Sequence, residues 1–170
     1  RMQDLGKQFS PYIHGPDVAG HDVWKECVQR FVGTDKQLSA IHVAPPCETV
    51  KEIEASNAFV LSEVEKNPEC KALVLISPEM GRARVEKYLE NQSVVGMKPF
   101  SYYAHFDGPS GNAPLDTYLP EWAWQCAHDH GLIFLVHLMR PDSLADPLNY
   151  GEIRKMAQKY PSARLMLDHC

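Results

Sequence analysis

Gly131-Leu132-Ile133-Phe134-Leu135-Val136-His137 is the stretch on which the fold turns. Five apolar residues, branched and aromatic among them, follow a glycine and end on a histidine. An unbroken run of this kind reads as a strand buried on both faces. Such strands belong to parallel sheets clothed by helices. Ligands in those sheets bind at the carboxyl ends of the strands, the position of His137.

Outward from that run the chain alternates strands with helices. Further strands are predicted at 38–44 (LSAIHVA), 71–77 (KALVLIS), 93–98 (SVVGMK) and 163–168 (ARLMLD). Helices are predicted from Asp17 to about Phe31, from Glu48 or Thr49 to Lys66, and from Pro78 to about Asn91. Two more run from Pro120 to Asp129 or His130, and from about Tyr150 to Lys159. Asp17 suits a cap, Pro120 a first turn, and Gly33 and Gly131 suit helix stops. His14-Gly15-Pro16 reads as a turn, and 99–118 as a long loop. Strand starts at 38, 71, 93, 132 and 163, with no hairpin signal, are the spacing of successive βα units. An open doubly wound sheet and a β/α barrel both fit. The absence of GxGxxG and GxxxxGK[ST] weakens the nucleotide-binding form of the first.

Composition narrows the function. The 170 residues suffice for one core, read as a single domain over 1–170. Hydrophobic residues make up 44% and charged residues 23%, ordinary for a globular domain. A formal net charge of -5 gives no reason to expect nucleic acid or an acidic membrane as partner. No apolar run approaches the roughly 20 residues that span a bilayer. Cys27, Cys47, Cys70, Cys126 and Cys170 are scattered and form no CxxC pair. A reducing cytoplasm is the simpler expectation than a disulfide or zinc-ribbon scaffold.

Three predicted strands end on residues that can bind a metal or a proton: Lys98, His137 and His169. Parallel strands in sequence point their carboxyl ends to one side, so the three side chains can converge. Asp168, one residue before His169, is expected to point the other way. His128-Asp129-His130 is an HxH, but it closes a helix, where imidazoles favour the negative helix end. Trp122 and Trp124, also helical, are expected to pack. Cys170 has no neighbour in sequence that would activate its thiol.

The ordered set Val94-Val95-Gly96-Met97-Lys98-Pro99-Phe100, Gly131 to Leu138, and Tyr160 to Cys170 resembles the amidohydrolase-2 branch of the metal-dependent amidohydrolase superfamily. The resemblance implies a partial (β/α)8 TIM-type barrel covering strands two to six. His137 would be the fifth-strand histidine and His169 the sixth-strand one. The family's first-strand HxH and last-strand Asp have no counterpart, and a whole barrel takes about 250 residues. The expectation is therefore a segment of a longer protein.

The implied cofactor is a divalent metal, zinc first among the candidates, with His137 and His169 as ligands. In a mononuclear site His169 would instead orient water or polarise a carbonyl. The implied reaction is hydrolysis of a small carboxylated amide, ester or lactone by metal-activated water. A decarboxylase or hydratase of the same branch, or a catalytically silent barrel used for binding or assembly, stays open. Lys98 has three readings: a carbamylated metal bridge, an amine facing a substrate carboxylate, or a lysine paired with a buried acid. The second is preferred. Arg140 could fork a carboxylate, and Tyr103, with Tyr102 and His105, lies in the loop after strand four. The expected partner is a small-molecule substrate, with a homo-oligomer left open.

Overall fold

The computed structural model describes residues 19–168. Five parallel strands lie in chain order: β1 (Ile41–His42), β2 (Lys71–Ile76), β3 (Val94–Pro99), β4 (Ile133–His137) and β5 (Arg164–Asp168). Between and before them run α1 (His21–Val32), α2 (Val50–Lys66), α3 (Arg82–Glu86), α4 (Glu121–His130) and α5 (Pro147–Lys159).

A doubly wound sheet reverses its strand order so that helices cover both faces. Here the order never reverses, and crossovers of one hand then all fall on one face. The sheet curls into a half-barrel, helices outside and strand carboxyl ends together at one mouth. That much of a TIM-type architecture is present.

The register sorts residues by face. Gly96 is level with Ile133 and Met97 with Phe134; Phe134 is level with Leu165, and His137 with Asp168. Phe134 and Val136 therefore look outward, where both are fully buried. Trp124 of α4 meets Phe134 edge to face, ring centroids 5.2 Å apart, which bears out its packing role. Ile133, Leu135 and His137 look inward and are only half-buried. The opening run is thus not covered on both faces as its composition predicts. Its outer face meets helices, while the inner face of the half-barrel keeps some access to solvent.

Gly96 sits where β3 and β4 approach closely. A Cβ there would lie 2.1 Å from the carbonyl oxygen of Ile133 and 2.8 Å from Leu73 Cδ2. Only glycine lets β3 and β4 close to this distance.

Local chemistry explains the helix ends. Thr49 accepts from the Glu52 amide at 3.2 Å, and the Glu52 carboxylate accepts from the Thr49 amide at 2.9 Å, a full capping box. Gly131 takes the left-handed conformation, φ 65°, that stops α4. Helix α1 begins at His21 after Gly20; the expected Asp17 cap and the 14–16 turn lie outside the described residues.

Three element predictions change. The first strand contracts from 38–44 to Ile41–His42. The helix over 78–91 breaks into a 3-10 turn (Pro78–Met80), α3, and a second 3-10 turn (Lys87–Glu90). Gly81, at φ 71° and ψ 160°, cannot continue a helix. The last helix starts at Pro147, three residues early, because Asp146 caps it with bonds from the Leu148 and Asn149 amides. No described helix is long and apolar enough to cross a membrane. The four described cysteines are free thiols.

Candidate functional site at the strand carboxyl ends

Lys98, His137 and Asp168 occupy the carboxyl-terminal parts of three neighbouring strands, β3, β4 and β5. Strand parity gives them one face, the inner one: Lys98 lies two residues past Gly96, His137 four past Ile133, and His137 is level with Asp168. Lys98 is 2% exposed. Its Nζ lies 3.2 Å from Asp168 Oδ2 and 4.8 Å from the centroid of the Phe100 ring. Burial lowers the Lys98 pKa from its usual range, against the opposing pull of the Asp168 carboxylate.

Asp168 thus faces inward, a correction to the outward orientation expected from alternation against His169. His169 itself, and Cys170, lie outside the described residues. The β4 histidine is half-buried, and its carbonyl accepts from the Tyr118 hydroxyl at 3.1 Å. Tyr118 is buried, and that burial pushes its phenol pKa far up, so the hydroxyl is a permanent donor that fixes the end of β4.

The other two sequence-predicted residues are engaged in tying loops together. Arg140 Nε lies 2.9 Å from Asp146 Oδ2, and its Nη1 donates to the Asn112 carbonyl at 2.6 Å. Burial alone would raise the Asp146 carboxyl, but Arg140 and the Asn149 and Leu148 amides hold it below its ordinary pKa. Arg140 therefore fixes the loop after β4 to the start of α5. Tyr103 accepts from the Cys47 amide at 2.8 Å and packs edge to face on Phe100. Burial pushes its pKa up to about 12. Through Phe100 it connects Lys98 to the loop after β1.

A cavity of about 480 Å³ opens among the loops after β1, β2 and β3. Tyr103 and His105 line it, together with Thr49, Ser77 and Glu79. Ser77 is 4% exposed, and its Oγ has no hydrogen-bond partner among the described residues. His105 Nε2 lies 3.5 Å from Glu79 Oε1. Sequence reasoning passed over Ser77 and Glu79. The signal for Ser77 was available: like Lys98 and His137, it ends an apolar strand run.

His128 and His130 diverge. The first accepts from the Ser162 amide at 3.1 Å, the second lies 3.9 Å from Glu86, and Asp129 pairs with Arg82 at 2.8 Å. The HxH at the end of α4 makes helix-terminal contacts, and His130 also stands within 4.8 Å, donor atom to donor atom, of Glu86 and Cys126. The chain matches no protein-family model, and comparison with curated proteins and with solved structures returned no match.

Proposed function

We propose that this chain forms part of a metal-dependent hydrolase of the amidohydrolase-2 type, acting on a small carboxylated amide, ester or lactone at the mouth of the half-barrel. The observation that carries the reading is the meeting of Lys98, His137 and Asp168 on one face at the ends of consecutive parallel strands. Active sites of β/α barrels sit at this end.

A bound zinc-class cation would supply Lewis acidity there. His137 and Asp168 are donors of suitable type, but two where catalytic zinc commonly takes three protein ligands. The described residues therefore fit part of such a centre. Lys98 would exchange its contact with Asp168 for the carboxylate of a substrate, with Phe100 as the wall behind the ammonium. Arg140 and Tyr103 would act by holding the loops that shape the mouth.

One observation favours the silent-barrel reading. Lys98 already has an acidic partner and needs no ligand to satisfy it. Metal content and turnover of the full-length protein separate the two. With a panel of carboxylated amides, esters and lactones, hydrolysis should be measurable, and His137→Ala should lose metal and at least about 100-fold in kcat/KM. Undiminished metal content and turnover in His137→Ala would overturn the hydrolase reading. A wild type without turnover, whose metal content His137→Ala leaves unchanged, would establish the silent one.

A further inference from the structure

A second constellation lies on the opposite side of the sheet, away from the mouth. His42 ends β1 and is level with Ala72, near the amino end of β2. The rings of His21 and Trp24 on α1 pack against His42, so His42 lies on the outer, helix-covered face of the sheet. Cys70 immediately precedes β2, and His21 opens α1. Three segments far apart in sequence thus deliver two imidazoles and a thiol to one place.

The donor atoms converge. His21 Nδ1 lies 3.0 Å from His42 Nε2 and 3.5 Å from Cys70 Sγ, and all three atoms fall within 4.8 Å of one another. Tetrahedral zinc, with Zn–N near 2.0–2.1 Å and Zn–S near 2.3 Å, separates neighbouring donors by about 3.3–3.6 Å. The two separations from His21 Nδ1 need only small adjustment to match. Two imidazoles and a thiolate are also the ligand types that favour zinc over magnesium or calcium.

Burial sharpens the case. Cys70 is fully buried and His21 is 2% exposed. His21 Nδ1 faces two groups at once, and a single proton cannot serve both. Its Nε2 has no hydrogen-bond partner among the described residues, so nothing on that side fixes the tautomer. The ring can carry its proton on Nε2 and present a lone pair from Nδ1. A cavity of about 490 Å³, lined by both histidines with Glu63 and Phe59, adjoins the cluster and leaves room for a fourth ligand.

We propose that His21 Nδ1, His42 Nε2 and Cys70 Sγ bind a zinc-class divalent cation that clips α1 to the first two strands, with water in the fourth position from the adjoining cavity. This site is distinct from the one at the mouth. It lies on the helix-covered side, beside the amino end of β2, where barrel residues serve stability rather than turnover.

Cobalt substitution in the full-length protein tests it. Metal-stripped wild type titrated with Co²⁺ should develop a thiolate-to-cobalt charge-transfer band, and Zn²⁺ should displace it. Cys70→Ser should abolish the band, and His42→Gln should weaken cobalt binding at least tenfold. His137→Ala should leave band and affinity unchanged, which separates the two sites. A wild type without the band, or Cys70→Ser that retains it, overturns the proposal. Should Cys70→Ser not fold, X-ray absorption on the zinc-treated His137→Ala protein decides. Sulfur in the zinc shell supports the clip; no bound zinc, or a shell of nitrogen and oxygen alone, overturns it.

Discussion

Tyr103 combines a loop contact with a titration, and the two can be separated. Its phenol accepts from the Cys47 amide, and burial raises its pKa to about 12 from an unfolded value near 10. Below pH 10 both states keep the proton, so the stabilisation is fully present there. Between about pH 10 and 12 the unfolded chain ionises while the folded phenol does not, and stability falls as pH rises. Lys98 pulls the other way. Its lowered pKa means the unfolded chain holds the extra proton, so its contribution to stability rises toward the ordinary lysine value. The difference between wild type and Tyr103→Phe cancels Lys98. Urea midpoints of the two proteins should therefore run parallel from pH 7 to 10 and converge above pH 10. Midpoints that stay parallel up to pH 12 would show that Tyr103 is solvated.

At the scale of elements, the two long capped helices differ in what their caps carry. Thr49 caps α2 through an exposed capping box. Thr49→Ala should cost about 1 kcal/mol in urea denaturation. Asp146 caps α5 and also holds Arg140. Asp146→Ala should lower the midpoint more than Thr49→Ala does, and Asp146→Asn, which can still cap, should recover part of the loss. Equal midpoints for the two alanine variants would mean that the Arg140 contact contributes nothing. These helices also show what a sequence discloses. A start at Glu48 or Thr49 and the Pro120 to Gly131 frame were legible because caps are local chemistry, while the capping box that selects Thr49 came from the structure. The Asp146 cap was missed because the run Met139 to Pro147 has no apolar period to start from. Gly81 was missed for a different reason. A lone glycine is tolerated inside helices, and only its φ of 71° shows that this one breaks the chain into short turns.

For the whole molecule, strand count, parallel sense and the common mouth could be read from the apolar runs and their spacing. The faces could not. The β4 run is apolar at every position from Leu132 to Val136, so its sequence does not say which parity looks inward. The register settles it and brings Asp168, rather than solvent, to Lys98. The Lys98–Asp168 pair bridges β3 and β5 across β4, so it joins strands that share no backbone ladder. Its energetics follow from unequal burial. Lys98 is enclosed, while the Asp168 side chain is about one-third exposed (34%) and partly screened. Removing the acid strands a buried ammonium, so Asp168→Asn should destabilise by about 2 kcal/mol, below the 3–5 kcal/mol typical of fully buried pairs. Removing both charges should cost less than removing the acid alone, since Lys98→Met fills the space without an ion to desolvate. A double-mutant cycle on urea denaturation checks this, with the Lys98→Met/Asp168→Asn protein expected to be more stable than Asp168→Asn. If the double variant is the less stable of the two, Lys98 stabilises the half-barrel by packing that does not depend on its charge. The proposed role of Lys98 as a cation held ready for a substrate carboxylate would then lose its energetic basis.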